Sequence, residues 1–593
     1  MLRWLHNTAL EDHRRTEQDL EPALRKLSIK ASSRVRDFLL TKICLLKRPK
    51  TNVQIVQQSS LLKYKYFMHF LREHSQEVYG EIRAEYMSVM SRILAAHFRM
   101  YLVSMEKLQT AVACESDVIG VIHTDSSTVS KISGLFQKAT RDTTPERVFE
   151  LGERVGVLAD PDEPAVIPHV AENAGAKLPY EVIFRSVHKL LMDTATSEHF
   201  FCVDFFADGP AFKELLVPVV AVVEAALAQA MTATTTNWDM VGCLLMIRVN
   251  HSQRGVMSRR RVPCLDDYLD RVQLLLWPRF KVLFDLQLSS LKSASDRHLA
   301  SDSPDVHIVV RRYAALAASM LFLMAEYDSD DTALFKAQTF YDMMDRLWAA
   351  IFDLLLRMSN LFKDRRSGII FLTVNYAHIV STLRTADTSA SPSLPSGPGS
   401  AASAAASSSV PGGRGGIGGG GGAAGKARSG GEAAGAGGGG RGTGIGKTGA
   451  SAIKECEDQF QTCMGLYVED QMARRFQFMV DFVKKAEQQQ KRGSVPEGQP
   501  IPSFGPAQAG PILRDFASRW KGAVEAMHRE ASTDFARSPC ERDVLQASMT
   551  ALLKYYTRML ELVKHQGPEG AAMARDAVNV PSIMYEIKRI SKS

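Results

Sequence analysis

The chain has 593 residues, of which 45% are hydrophobic and 23% charged, an ordinary globular composition that excludes both wholesale disorder and a membrane-embedded protein. Its length exceeds what one hydrophobic core supports, so several domains or stacked bundles are expected. The formal net charge is +7, but residues 388–450 hold five Lys or Arg against one Glu, which leaves only +3 elsewhere and no strong electrostatic signal for nucleic acid.

The cysteines and the apolar segments point to the cytoplasm. The first seven residues lack the apolar region of a secretory signal. The most apolar stretch, Leu215–Met231, contains Pro218 and Glu224 and is shorter than the ~20 residues of a spanning helix, which predicts a buried core helix and only peripheral membrane contact. Reduced, buried thiols are predicted for the eight scattered cysteines, at positions 44, 114, 202, 243, 264, 456, 463 and 540.

The first segment, residues 1–113, is predicted to form long amphipathic helices. Residues 11–45 carry an apolar stripe at helical spacing, with a break predicted near Pro22. Residues 60–110 predict one long helix, or two nearly collinear ones, capped by Ser59 or Ser60. The stripe of this second helix is Ile82, Tyr86, Val89, Ile93, His97, Tyr101, Met105 and Leu108. His97 is interpreted as a core or edge histidine because no second metal ligand lies nearby.

The rest of the chain divides by composition. Residues 114–180 predict a loop-rich connector with a strand or two, and residues 181–387 predict a bundle of five or more helices. Breaks in this bundle are predicted near residues 208–210, 252–263, 278, 289–304 and 327–332. Residues 388–450, rich in Gly, Ser and Ala, predict a disordered insertion. Residues 451–593 predict a C-terminal helical bundle that pauses at 493–511 and breaks at Pro539.

One glycine-rich segment invites a nucleotide-binding interpretation. Gly442–Thr448 would offer backbone amides to phosphate, with Lys447 and Thr448 as the phosphate and metal contacts. The spacing fails, because Arg441 stands where the phosphate-binding loop requires its first glycine, and no apolar strand precedes it. A nucleotide-binding protein is therefore kept only as a minor alternative.

Other chemical motifs are weak, and no catalytic, cofactor or metal site is predicted. Cys456 and Cys463 are two helical turns apart, and His199 and Cys202 form an isolated pair, so core packing is the interpretation for both pairs. The acidic residues Asp328, Asp330 and Asp331 lack the glycine and the terminal glutamate of a calcium loop. The absence of hydrolase and zinc-protease motifs favours a scaffold over an enzyme.

Two basic clusters are the candidates for contact with anionic lipid or acidic partners. They are Arg259–Arg261 and the pair Arg311 and Arg312. The alternative interpretation is a solvated helix end or loop. No partner-binding face is assigned from the sequence.

Six motifs, in order along the chain, resemble one known family. They are Arg48–Gln57, Phe149–Arg154, Pro179–Ser186, Leu275–Phe280, Val310–Ala314 and Phe516–Lys521. Together they resemble the vacuolar protein sorting-associated protein 52 family, whose members are subunits of the Golgi-associated retrograde protein (GARP) complex and of its endosomal relative. The resemblance extends from about residue 20 to the C-terminus. It implies an all-α fold of elongated, stacked helical bundles of the tethering-complex rod type, in agreement with the helical periodicity.

The resemblance also implies a function. It implies a non-catalytic, cofactor-free tethering subunit that acts in retrograde transport from endosomes to the trans-Golgi network and promotes SNARE-dependent fusion. The implied partners are the other GARP subunits, SNAREs and a Golgi Rab-family GTPase, at the cytoplasmic surface of trans-Golgi and endosomal membranes. A helical adaptor of another tether, such as the exocyst or the conserved oligomeric Golgi complex, is the main alternative.

The sequence departs from the family pattern in two places. Family members carry a long coiled coil ahead of the matching part, and only residues 1 to about 45 correspond to it here, so a truncated N-terminus or a reduced assembly region is expected. The glycine-rich tract at 388–450 is absent from the family pattern and is expected to be a surface loop.

Overall fold

The computed structural model describes residues 2–49, 51–121, 147–207, 212–232, 238–295, 299–300, 303–324, 334–389, 447–491 and 505–590. Side chains are described from residue 21 onwards, except at 334–338, 387–389, 447–452 and 490–491. The predicted disordered insertion and the acidic residues Asp328, Asp330 and Asp331 lie outside the described residues.

The N-terminal helices are α1 (Leu2–Cys44), α2 (Val53–Val56), α3 (Lys65–His74) and α4 (Gln76–Glu106). The predicted break near Pro22 is wrong, because α1 runs through this proline, which lies in an exposed stretch, residues 21–27. The predicted cap is also wrong. The side chain of Asn52 caps α2 by accepting from the Ile55 amide at 3.2 Å, whereas Ser59 donates to the Ile55 carbonyl.

The stripe predicted on α4 is displaced at its centre. Ile82, Tyr86 and Met105 are buried as expected, but His97 is exposed. Leu94 and Phe98 occupy the buried face instead. Of the two interpretations of His97, a core or an edge histidine, the structure supports the edge residue.

The connector is helical rather than strand-forming. Short 3₁₀ helices cover Arg147–Phe149 and Gly152–Leu158, and α5 covers Pro168–Asn173. Within the described residues no strand forms, and a single parallel bridge joins Gln109 to Leu178. The strand or two expected here is wrong for this part of the connector.

The central bundle contains α6 (Tyr180–Phe206), α7 (Phe212–Thr232), α8 (Met240–Arg260), α9 (Asp266–Lys292), α10 (Ile308–Met324), α11 (Leu334–Ser359) and α12 (Arg365–Ser389). Five or more helices were predicted, which is confirmed. The break predicted at Pro278 is wrong, because α9 continues through it. The carbonyl that loses its hydrogen bond belongs to Leu274, which is 73% exposed, so the proline lies on the solvent side of α9.

The C-terminal helices are α13 (Lys447–Lys491), α14 (Pro506–Asp534), α15 (Glu541–Lys564), α16 (Pro568–Asp576) and α17 (Val580–Ile590). The break predicted at Pro539 is confirmed between α14 and α15. α13 is kinked at Phe476, whose backbone leaves the helical region (φ −132°, ψ 40°).

Two hydrophobic cores lie along this helical chain. The larger extends from Leu39 to Val544 and the smaller from Met472 to Ile583. α13 contributes residues up to Val468 to the larger core and residues from Met472 onwards to the smaller one, so it passes between the cores about one turn before the kink. The all-α fold of stacked helical bundles is thereby confirmed, whereas the division into domains stays a prediction.

Helix α7 tests the prediction of a buried core helix. By length and composition it could cross a membrane, the one described helix of which this is true. Its apolar residues nevertheless alternate between buried and exposed faces. Glu224 pairs with Arg271 at 3.1 Å, and Glu214 with Arg83 at 3.5 Å. These ion pairs with neighbouring helices favour a half-buried helix of the bundle over a membrane span.

Candidate functional site

The middle of α1, residues 24–31, presents apolar residues to solvent. Leu24 is 62% exposed and Leu27 is 64% exposed. Leu20, Leu24, Leu27 and Ala31 follow one another at steps of four, three and four, which is the spacing of a coiled-coil seam. A helix with such a stripe gains most of its stability by burying it against a partner. We call Leu20, Leu24, Leu27 and Ala31 the α1 seam.

The second half of α1 holds the helix on the bundle. Leu39 and Ile43 are fully buried against α4. Arg36 donates twice to Glu81 on α4, at 2.6 and 2.5 Å, which raises the pKa of Arg36 and lowers that of Glu81, mainly through this hydrogen bond. Lys47 pairs with Glu85 one turn later, at 2.7 Å. α1 is therefore anchored from about residue 32 onwards, and the part of the seam before it lacks this support.

A buried polar cluster lies beneath α4. Gln57 donates to the Tyr86 hydroxyl at 2.7 Å and to Glu198 at 2.8 Å, and Tyr86 donates to the other oxygen of Glu198 at 2.9 Å. Burial raises the pKa of Glu198 and holds that of Tyr86 well above its usual value. Because the three side chains satisfy one another, the cluster joins the turn after α2 to α4 and α6 and has no free nucleophile.

A second network joins the connector to the central bundle. The Arg154 guanidinium donates to Glu181 at 2.7 Å and also contacts Asp239, whose carboxylate caps α8 through the Gly242 amide at 2.9 Å. Burial alone would lower the pKa of Arg154, but attraction to Asp239 and Glu181 outweighs it and raises the pKa. Arg154 is therefore a charged residue of the interior that ties α6 to α8.

A third network lies where the two cores meet. Arg366 at the start of α12 contacts Asp534 at 2.5 Å and the Tyr467 hydroxyl and Glu530 at 3.2 Å each. Arg475 contacts the other oxygen of Glu530 at 2.5 Å. Three helices, α12, α13 and α14, are held together by these contacts.

A cavity of about 290 Å³ lies between α4, α6 and α7 and contains His188 in its lining. His188 donates from Nδ1 to the Phe184 carbonyl at 2.8 Å, and its Nε2 accepts from the Tyr268 hydroxyl at 2.8 Å. Burial lowers its pKa to about 4, so the ring is neutral. Both ring nitrogens are occupied, and this histidine is a packing residue.

The two predicted basic clusters are only partly available to a partner. Arg312 is buried and donates to the carbonyls of Val118 and Val121, at 3.0 and 2.7 Å. Arg260 pairs with Asp162 and Asp193, at 2.8 and 3.0 Å. The prediction is wrong for these two residues because their charge is used within the bundle.

The remaining predicted arginines lie on the surface. Arg259 and Arg261 are exposed at the end of α8, and Arg311 is exposed while donating to the Val306 carbonyl at 3.2 Å. A role for them in binding anionic lipid or acidic partners stays a prediction.

The other candidate residues are structural where the structure describes them. Five of the eight cysteines are buried, among them Cys202, Cys456 and Cys463, and all eight are free thiols. His199 packs edge-on against the Phe212 ring at 5.5 Å. No group of side chains in the described residues could hold a metal ion. Lys447 and Thr448 lie in the first turn of α13, but their side chains are outside the described part.

Sequence reasoning missed a basic segment. Residues 38–72 contain seven Lys or Arg and no Asp or Glu. A running charge count would have found it, whereas a search for adjacent arginines did not. The segment begins within α1 and ends within α3, beside the anchored part of α1.

Comparison with known proteins identifies the family. The family model "Vps52, C-terminal" matches residues 88–393, from α4 to the end of the central bundle. The chain is 37% identical over 579 residues to vacuolar protein sorting-associated protein 52 A of Arabidopsis thaliana, which covers 97% of this chain and 70% of that relative. The chain belongs to the Vps52 family.

Other Vps52 comparisons agree over most of the chain. A second family model, "Vps52/Sac2 family, coiled-coil", matches residues 7–71, which include the α1 seam and the first seven residues of α3. The human homolog is 25% identical over 96% of this chain and 69% of its own length. The Saccharomyces cerevisiae relative is 24% identical over 59% of each chain.

The sequence motifs that resemble the Vps52 family lie at packing contacts of the fold. Arg154 and Glu181, from two different motifs, form the ion pair described above. Arg279, from the motif Leu275–Phe280, lies over the Trp238 ring at 5.4 Å, and Phe516, from the last motif, stacks on Tyr556 at 4.2 Å. These motifs therefore specify the fold rather than a reactive site.

Proposed function

We propose that the chain is a subunit of a multisubunit vesicle-tethering complex of the GARP type, or of its endosomal relative. In this role it acts in retrograde transport from endosomes to the trans-Golgi network and promotes SNARE-dependent fusion. Family membership supports the proposal, since the relatives are named for vacuolar protein sorting. The contribution of the chain would be binding geometry rather than catalysis.

The observation that carries the proposal is the α1 seam. It lies inside the segment that matches the coiled-coil family model, and Leu24 and Leu27 are exposed although α1 is anchored from about residue 32 onwards. A seam of this spacing fits a second helix of the same kind, which sister subunits would supply. The proposed partners are therefore the other GARP subunits at α1.

Further partners and the location complete the proposal. SNAREs and a Golgi Rab-family GTPase would bind the helical bundles, and the complex would be peripheral on trans-Golgi and endosomal membranes at their cytoplasmic face. We also propose the five segments 1–113, 114–180, 181–387, 388–450 and 451–593 as its working divisions.

Co-purification tests the proposal. A tagged chain should recover the sister subunits, and Leu24→Asp/Leu27→Asp should recover far less of them. A partner helix would cover the exposed part of each leucine, about two-thirds of the residue. Losing this burial at both positions costs about 2–4 kcal/mol of association free energy, which weakens association by about 100-fold.

The matched control is Leu274→Asp/Leu466→Asp, two leucines that are 73% and 41% exposed on other helices. This variant should recover the sister subunits as the unmodified chain does. Recovery of exocyst or conserved oligomeric Golgi subunits instead would contradict the proposed complex. Equal losses in both variants would contradict the role of the α1 seam.

A further inference from the structure

The basic segment 38–72 is the start of this inference. Its seven Lys and Arg, without an acid, amount to +7, which equals the formal net charge of the whole chain. The other residues sum to zero, because the +4 of residues 388–450 is offset by −4 in the rest of the chain, so residues 38–72 are a local excess of positive charge. A local excess of this size is typical of a surface that meets a polyanion.

The structure gathers part of this charge around exposed aromatic rings. Tyr66 is 71% exposed and Phe67 is 41% exposed at the start of α3. Lys65 lies over the Tyr66 ring at 5.7 Å, and Lys63 is exposed one turn earlier.

The aromatic surface continues onto α1. Phe38 meets the Phe67 ring edge-on at 6.3 Å, and Tyr64 lies between them, 4.8 Å from Phe38 and 5.7 Å from Phe67. Lys42 lies over Phe38 at 5.4 Å. We call Phe38, Lys42, Lys63, Lys65, Tyr66 and Phe67 the basic aromatic patch.

The lysines of the patch are not neutralised by the described part of the chain. Lys42, Lys63 and Lys65 form no ion pair there, in contrast to Lys47, which pairs with Glu85. The acid next to the patch is Asp37, and it is paired with Arg36 at 3.2 Å. Glu73 lies at the far end of α3. Positive charge and exposed rings therefore coincide on one surface.

We propose that the basic aromatic patch binds the surface of an anionic lipid bilayer. Tyrosine and phenylalanine rings insert at the boundary between headgroups and acyl chains, while lysines at their rim contact the anionic headgroups. An acidic peptide would satisfy the lysines but would leave an apolar tip such as Phe67 without a partner. The physiological meaning of this binding rests on the proposed function. It would give the tethering subunit a direct contact with membrane lipid.

Vesicle co-sedimentation of the purified full chain tests the inference. Phosphatidylcholine vesicles that contain phosphatidylserine should bind it, vesicles of phosphatidylcholine alone should bind it much less, and added salt should weaken the binding. Lys63→Gln/Lys65→Gln should lower the partition coefficient about 25-fold, since each lysine near an anionic surface contributes about fivefold. Tyr66→Ala should also lower it.

The chain offers matched controls for both variants. Lys281 and Lys521 also lie over aromatic rings, at 6.0 and 5.6 Å, and Tyr585 is 71% exposed, as Tyr66 is. Lys281→Gln/Lys521→Gln and Tyr585→Ala should bind vesicles as the unmodified chain does. Far-ultraviolet circular dichroism establishes that each variant is folded.

Three results would overturn the inference. In the first, the purified chain does not bind phosphatidylserine vesicles. In the second, the patch variants and the control variants bind vesicles equally well. In the third, the patch variants still bind vesicles but no longer bind a sister subunit. The last result would make the patch a protein interface. Because vesicle binding needs no sister subunit, failure of the lipid inference is distinguishable from failure of the proposed complex, which co-purification with the α1 seam variant tests separately.

Discussion

Replacing Arg154 tests whether an interior ion pair holds the connector to the bundle. Its side chain is 15% exposed, and that of its partner Glu181 is 1% exposed. Arg154→Met keeps the length of the side chain but leaves two carboxylates, Glu181 and Asp239, facing each other without a cation. Removing one partner of a buried pair costs about 3–5 kcal/mol, because the remaining charge stays desolvated.

Two further variants separate charge from packing. Arg154→Met/Glu181→Gln removes the more buried of the two unpaired carboxylates and should recover about 1–3 kcal/mol of the loss. Arg254→Met breaks an ion pair with Asp270 whose side chains are 44% and 62% exposed, and it should cost less than about 1 kcal/mol.

The assay is urea unfolding of the full chain followed by tryptophan fluorescence and circular dichroism. The effect of Arg154→Met should depend on pH. Burial raises the pKa of Glu181 and Arg154 opposes this, so the variant raises that pKa further above its unfolded value. A raised carboxyl pKa gives stability that is complete below the unfolded pKa and is lost as the pH rises through the folded pKa.

The deficit of Arg154→Met should accordingly be largest at neutral pH and should shrink as the solution becomes acidic. A loss no larger than that of Arg254→Met would refute the reasoning. So would a double variant that is no more stable than Arg154→Met at neutral pH.

Three other predictions use the same unfolding assay or limited proteolysis. Tyr86→Phe removes the hydroxyl between Gln57 and Glu198 and should lower the free energy of unfolding by about 1–3 kcal/mol. Because burial raises the pKa of Glu198, the stability that this site contributes should fall as the pH rises from the acid range, and a flat pH profile would argue against this role of Glu198. Arg366→Met should speed limited proteolysis between α12 and α14 about tenfold or more. An unchanged proteolysis rate would show that the contacts of Arg366 do not hold α12 against α14. Gly570→Ala should destabilise the chain, because a Cβ there would lie 2.2 Å from the Val563 carbonyl oxygen. Gly522→Ala should stabilise it by about 0.5–1 kcal/mol, because a Cβ there would meet open space. The reverse order of stabilities would refute the packing argument.

Helix existence was predictable from the sequence where apolar residues recur at helical spacing. Helix boundaries at proline were not. Pro22 and Pro278 are exposed inside continuing helices, and Pro539 is exposed as well, yet the chain breaks there. Near Pro539 the backbone of Arg537 turns to a positive φ of 66°, and the buried Phe535 ring packs against Tyr467 at 4.9 Å, so this boundary depends on contacts with a distant part of the chain.

The candidate surfaces divide in the same way. The spacing of Leu20, Leu24 and Leu27 is visible in the sequence, but the exposure of Leu24 and Leu27 is not. Adjacent arginines looked equivalent, yet Arg312 is buried against backbone carbonyls and Arg259 is exposed. The sequence does not distinguish them because each one's partners lie far away along the chain.

The sequence by itself determined the all-α class, the helical periodicity and the family, since these depend on residues that are local in the chain or on motifs in fixed order. Only the tertiary structure decided which charges are used internally, which apolar stripe is left unburied and where α13 passes from one core to the other. Those properties depend on contacts such as Arg154 with Asp239, 85 residues apart, and Arg366 with Asp534, 168 residues apart. Pairings at such separations arise from packing of whole helices, which local patterns do not encode.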